Sequence, residues 1–316
     1  MKSMVLAAGF GTRLLPLTLC RAKPAMPYHS LPILCYCLRK LEQAGVREAF
    51  VNLHHLADTV RRAAGQAHVP QLKIRFSFEP EILGTAGALN QVRPELASED
   101  QFLLINGKIV FDFDLEPAIR HHRETRALAT LVMVDPIPGE AFNPVYVDST
   151  GRVNGFGRTT DENAFTGLIF TGIHILDRRI WEYVPSPGFS DMVRDVYTRA
   201  LDCGELIACY HARGTWLEFS TLARYWRLNV KSGGNWIGDV SKIASSARVS
   251  DSVVWDGVRI GDACRIENCV IGDGVVIPEG AAFKNSAIVP ADSAAPRFEK
   301  YLDSGLIVYP LGNILD

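Results

Sequence analysis

Met4-Val5-Leu6-Ala7-Ala8-Gly9-Phe10-Gly11-Thr12-Arg13 is an apolar run that ends in two glycines and a cation. A short apolar run bounded by glycine fits a buried strand, so residues 4–8 read as β. Gly9 and Gly11 follow directly, where missing side chains let backbone N–H groups come close to a phosphate. A simple tight turn also reads Gly-x-Gly, and the dinucleotide fingerprint fails because position 14 is Leu.

Outward from this run, strand and helix patterns alternate. Residues 31–44 place Leu34, Cys37, Leu38 and Leu41 at helical spacing. Residues 49–53 read as a strand, 56–64 as a helix, 74–78 as a strand, Thr85 onward as a helix and 102–105 as a strand. This succession calls for an α/β domain with a mostly parallel, Rossmann-like sheet covered by helices. In such a sheet ligands bind beyond the carboxyl ends of the strands, here at the loops after Ala8 and Ile105. Residues 129–134 add a strand, 145–153 a hairpin and 167–176 an apolar stretch of the same domain.

A different period starts near Trp236. Aliphatic residues fall at Ile243, Val249, Val254, Ile260, Ile266, Ile271 and Ile277, so that equivalent positions recur every 17 residues. Three short strands per coil with Gly-Asp corners give this spacing, as in left-handed parallel β-helices built on hexapeptide repeats. Such a short array needs a cap, from the neighbouring domain, from the tail after Pro290 or from another subunit. The expected domains are 1–232, the β-helix 233–290 and a tail 291–316. A homo-oligomer formed through the β-helix is expected.

The composition of the 316-residue chain, 47% hydrophobic and 22% charged, is that of a globular protein with a sizeable core. A formal charge of −2 provides no broad basic surface, which argues against a nucleic-acid partner. The first apolar stretch is short for a signal peptide and no run is long enough to span a membrane, so the cytosol is the expected compartment and no membrane partner is expected. The seven cysteines include no Cys-x-x-Cys pair and read as reduced, mostly buried thiols. His54-His55 and His121-His122 are adjacent pairs whose rings diverge, and they are not expected to hold a metal.

The stretch Leu6-Ala7-Ala8-Gly9-Phe10-Gly11-Thr12-Arg13-Leu14-Leu15-Pro16-Leu17-Thr18, followed by Ala22-Lys23-Pro24-Ala25-Met26-Pro27, resembles the signature of sugar-phosphate nucleotidyltransferases. The resemblance covers roughly residues 1–230, and several family members carry a β-helix tail. It implies attack of a sugar 1-phosphate oxygen on the α-phosphorus of a nucleoside triphosphate, with charge neutralised on both sides of an in-line displacement. Arg13 is then the triphosphate contact that helps pyrophosphate leave, and Lys23 sits between the two substrates' phosphates. Leu6, Ala8, Gly9, Gly11 and Thr12 are the nucleotide-binding candidates of this loop.

A second segment, Glu79-Pro80-Glu81-Ile82-Leu83-Gly84-Thr85-Ala86-Gly87-Ala88-Leu89, is similar to the family's base-recognition segment. It makes Glu79, Gly84 and Thr85 candidates for the base. A carboxylate at position 79 can accept both N–H groups of a guanine edge, which favours GTP; in the other reading Glu79 is a solvated loop residue and Gly84 alone meets the base. The nearest overall resemblance is to mannose-1-phosphate guanylyltransferases, although the muramate and glucose enzymes share most of the same motifs, and mannose 1-phosphate is the first candidate sugar.

The chain departs from the family pattern at three places. Ile105-Asn106-Gly107-Lys108 aligns with a segment whose last residue is usually an Asp ligand of Mg²⁺, and Trp216-Leu217-Glu218 carries Glu where a second metal Asp is usual. Asn106 and Lys108 thus become sugar-phosphate candidates, and Glu218 and Asp112 the remaining metal candidates, with Mg²⁺ expected as cofactor and possible to bring in on the nucleotide. The Glu-Lys-Pro element for the sugar phosphate is replaced by a stretch in which Arg158 either grips the phosphate or is a solvated loop residue. The strand around Thr171 and Gly172 resembles the one facing the sugar. Position 108 leaves open an active enzyme in which the ammonium replaces metal charge, a non-catalytic nucleotide-sugar-binding partner subunit, or a recombinant alteration. The β-helix, with no His in residues 236–290, reads as structural.

Overall fold

The β-branched and apolar runs become a nine-stranded sheet, with the first run as the strand Lys2–Leu6. Its main path runs Val153–Phe156, Pro144–Val147, Thr166–Asp177, Gln101–Asn106, Lys2–Leu6, Glu48–Leu53 and Lys73–Phe78. The last four strands are mutually parallel, so Leu6, Leu53, Phe78 and Asn106 end on the same side. Thr166–Asp177 runs antiparallel to Gln101–Asn106 and to Ala129–Val134, and Ile207–His211 joins Ala129–Val134 in parallel.

This computed structural model describes residues 1–157, 164–231, 234–291 and 296–312. It divides into two compact units, Met1–Gly9 with Ile33–Glu218, and Phe10–Pro32 with Phe219–Asp316. In the first unit the helix Ile33–Gln43 buries the face Leu34, Cys37, Leu38 and Leu41, the 3.6-residue pattern of its sequence. One face of the sheet (Met4, Phe50, Phe102, Leu104, Leu131) packs against Ala86, Leu89, Trp181 and Val196 in a single core.

The second unit differs from a division at residue 232, because Phe10–Pro32 groups with the carboxy-terminal residues. Arg21 explains much of this. Its guanidinium bonds both carboxylate oxygens of Asp273 at 2.6 Å and one of Asp256 at 2.5 Å, and lies 5.3 Å from the Trp255 ring centre. The two aspartates are 17 residues apart and so occupy equivalent corners of successive coils. Tyr225 also donates its hydroxyl to the Pro27 carbonyl, at 2.6 Å.

The 17-residue period appears as register. Trp236 pairs with Val253 and Val253 with Val270; Lys242 pairs with Arg259 and Arg259 with Val276; Arg248 pairs with Arg265 and Arg265 with Ala282, all in parallel. Val254, Ile260, Ile266, Ile271 and Ile277 form the stacked interior of this left-handed parallel β-helix. Of the caps considered, the tail supplies one: Leu306–Pro310 pairs antiparallel with the last-coil strand Ser286–Pro290. Five of the seven cysteines are buried. No helix among the described residues is long and apolar enough to cross a membrane.

Candidate active site

In the first unit the strand ends converge because their strands are neighbours. Ala7 N donates to Asn52 Oδ1 (2.5 Å), Asn52 Nδ2 donates to Glu79 Oε1 (2.7 Å), and Leu83 N donates to Glu79 Oε2 (3.0 Å). Three strand ends and the 79–83 loop are thereby joined through two side chains. Gly107 N donates to the Leu6 carbonyl at 2.9 Å and brings in the fourth.

This network corrects the expectation for Glu79. The residue is 1% exposed and both carboxylate oxygens accept bonds from within the protein, so it fixes the shape of the 79–83 loop instead of offering its carboxylate to a base. Gly84 begins the helix Gly84–Gln91 at φ 72°, in the left-handed region, and a Cβ there would collide with the Ser190 carbonyl. Thr85 accepts from Met192 N (2.7 Å) and donates to Asp191 Oδ2 (3.0 Å), so its hydroxyl secures this helix to residues 190–192.

Thr171 and Gly172 lie at an irregularity where the pairing with Ala129–Val134 shifts between Phe170 and Ile173. The Thr171 hydroxyl is buried and donates to the Val132 carbonyl (2.7 Å), while Trp216 Nε1 donates to the Thr171 carbonyl (3.1 Å). Gly172 adopts φ 81°, and the Asn106 amide fills the space that a Cβ would take. Asn106 and Gly172 are thus in contact. Arg158 lies outside the described residues.

The two departures from the usual metal pattern are each other's partners. Trp216–Glu218 pairs antiparallel with Ile109–Phe111, Glu218 opposite Ile109, and Lys108 Nζ lies 2.9 Å from Glu218 Oε1. The Glu218 side chain is 10% exposed and that of Lys108 33%, so the pair is largely withdrawn from water. The Asp112 carboxylate accepts from Thr215 N (2.8 Å) and steadies the same strand pair. Among the described residues no three His, Cys, Asp or Glu side chains are grouped to hold a metal. An ammonium bonded to the carboxylate gives a donor set that does not fit a protein-held divalent cation.

The second unit holds the remaining signature residues. Gly11 has φ 62° and a Cβ there would lie 2.8 Å from Thr18 Cγ2, so this position demands glycine, whereas a Cβ on Gly9 would meet nothing within 4 Å. Thr12 and Arg13 are exposed, in the turn Thr12–Leu14. Lys23 is only 6% exposed, in the turn Lys23–Ala25. Asn52 was not a sequence candidate; its only signal was an asparagine inside the otherwise apolar run 49–53.

A family model described as nucleotidyl transferase matches residues 2–233, and one described as GlmU-like, C-terminal hexapeptide, matches residues 235–287. The chain is 30% identical over 241 residues to a UTP--glucose-1-phosphate uridylyltransferase of Synechocystis, covering 72% of this chain and 62% of that protein. It is 26% identical over 290 residues to the mannose-1-phosphate guanylyltransferase of Mycobacterium tuberculosis, covering 81% of this chain and 80% of that protein. Among solved structures, HddC from Yersinia pseudotuberculosis aligns with a TM-score of 0.61 at 22% identity, over 73% of this chain and 99% of that one, a likeness of fold. Strand order, hexapeptide register and the two matched segments agree: the chain belongs to the nucleotidyl transferase family, with a hexapeptide carboxy-terminal region.

Proposed function

We propose that the chain transfers a nucleotidyl group from a nucleoside triphosphate to a sugar 1-phosphate, releasing pyrophosphate, with GTP and mannose 1-phosphate as its substrates. The observation that carries this reading is the hydrogen-bonded meeting of four strand ends, at Ala7, Asn52, Glu79 and Gly107, at the carboxyl edge of a parallel sheet, where such sheets bind their ligands. Relatives named mannose-1-phosphate guanylyltransferase support guanine and mannose. The Glu79 carboxylate no longer does, and base selection falls to the backbone around Gly84.

In this reading a sugar-phosphate oxygen attacks the α-phosphorus, the bond to the α,β-bridging oxygen breaks, and pyrophosphate carries away the electron pair. Arg13 neutralises charge on the leaving group. Lys23 neutralises charge between the two substrates' phosphates. Lys108, held by Glu218, places positive charge where the family usually has a carboxylate. Any Mg²⁺ the reaction needs would have to come with the nucleotide, because Lys108 offers it no ligand. Copies of the chain associate through the β-helix.

The test is pyrophosphate release from a panel of triphosphates and sugar 1-phosphates, with and without Mg²⁺, for the native chain, Lys23→Ala and Lys108→Asp. The native chain should turn over GTP with mannose 1-phosphate, and Lys23→Ala should lose at least a hundredfold in rate. Nucleotide binding with no product from any pair, together with a gain of turnover in Lys108→Asp, would instead identify a non-catalytic partner subunit.

A further inference from the structure

Within the second unit the carboxy-terminal tail and the signature turn share a cavity of about 700 Å³. Its wall includes Thr12 and Arg13 from the turn Thr12–Leu14, and Arg297, Lys300, Tyr301 and Tyr309 from the tail. Among the described residues no Asp or Glu lines it. Among the described residues none of the three cations has a carboxylate partner. Three cations around one concavity repel each other, and a bound polyanion removes that cost.

The tail is built to hold its cations in place. Arg297 and Lys300 lie in the turn Pro296–Tyr301, and the strand Leu306–Pro310 after it is paired to the β-helix. Phe298 is 3% exposed and meets Tyr309 edge-on at 5.8 Å, Tyr301 meets Tyr309 at 4.7 Å, and Lys300 Nζ lies 5.0 Å from the Tyr301 ring centre. A lysine stacked on a ring and an arginine on an anchored turn have lost part of their rotamer freedom before any ligand arrives. Neither family match extends beyond residue 287, so these residues are an addition to the matched regions.

We propose that Arg297 and Lys300, together with Arg13, form a binding site for condensed phosphate, either the pyrophosphoryl end of a nucleoside triphosphate or the free pyrophosphate released from it. This rests on the nucleotidyl-transfer reading for the role of the site, but not for its chemistry. Two or more linked phosphates match the charge of the three cations, and the tyrosine hydroxyls and Thr12 offer neutral donors beside them. The tail thereby contributes to the leaving-group side of the reaction.

The test is calorimetric titration of the full chain with inorganic pyrophosphate, GTP and orthophosphate. It compares the native protein with R297Q/K300Q and with R297K/K300R. Pyrophosphate affinity should fall at least tenfold in R297Q/K300Q, recover to within threefold in R297K/K300R, and exceed that for orthophosphate in the native chain. A parallel loss for GTP assigns the site to the triphosphate; a loss for pyrophosphate alone assigns it to the free product. Both side chains are exposed, so folding should survive, and the single variants R297Q and K300Q, each weakening pyrophosphate binding, serve if the double variant does not fold. Native pyrophosphate affinity in a folded R297Q/K300Q, or no pyrophosphate binding by the native chain, overturns the inference. Nucleotide-sugar synthesis that persists with native pyrophosphate affinity in R297Q/K300Q would sink this site and leave the proposed activity standing, whereas pyrophosphate binding without synthesis would do the reverse.

Discussion

Asn52 is 3% exposed, and its amide both accepts from Ala7 N and donates to Glu79 Oε1. Removing it leaves a buried N–H without its acceptor and a buried carboxylate without one of its donors. Asn52→Leu should therefore cost about 2–4 kcal/mol in denaturant unfolding, the range for orphaning two buried polar groups, one of them charged. The charged group can be removed as well. Asn52→Leu with Glu79→Leu should cost less than the sum of the two single changes, because the pair is coupled; simple additivity would show that the bond across the strand ends contributes little. The role of Glu79 was hidden in the sequence for a physical reason. A carboxylate after a strand reads as a ligand for whatever lies beyond the strand end, and its partner Asn52 lies 27 residues away, brought close only by the pairing of Glu48–Leu53 with Lys73–Phe78. Lys108 and Glu218 were each legible as departures from the family pattern, but that they meet, 110 residues apart, was not.

At the scale of elements, periodic features were legible and long-range pairings were not. Leu34, Cys37, Leu38 and Leu41 gave the helix Ile33–Gln43, and the 17-residue spacing gave the register of all three β-helix faces, because both follow from local geometry repeated along the chain. The clamp of Arg21 on Asp256 and Asp273 has no local signal, since it joins a loop near the start to coils more than two hundred residues later. The cap is intermediate: a tail was one of several expected covers, but the antiparallel strand Leu306–Pro310 could not be chosen before its partner Ser286–Pro290 was known. Leu306 is 5% exposed and belongs to the β-helix core. Leu306→Ala should thus cost about 2–5 kcal/mol, the usual range for emptying a buried leucine site. Measured by denaturant unfolding, a loss below about 1 kcal/mol would mean that the cap adds little to the coils.

For the molecule as a whole, two buried histidines tie stability to pH. Burial pushes His122 down to about 4, its Nδ1 lying 2.9 Å from Thr130 Oγ1, and burial pushes His174, bonded to the Tyr197 hydroxyl, down to about 3. An unfolded histidine takes up its proton near about pH 6.5. Between that pH and about 4 the unfolded chain binds protons that the folded chain does not, so acid favours unfolding. The contribution is complete above about pH 6.5 and is lost on acidification, by about 1.4 kcal/mol per pH unit for each histidine. Carboxylates intrude only lower: Asp195, its carboxylate bonded to Arg194 and set at about 2, belongs to a class that titrates below about pH 4.5. The interval from pH 6.5 to 5 therefore isolates the histidines. Urea midpoints should fall steadily across it in the native chain, and more shallowly in His122→Gln and in His174→Gln. Equal slopes in all three proteins would show that neither ring stays neutral in the fold, and would remove burial as the cause of acid sensitivity.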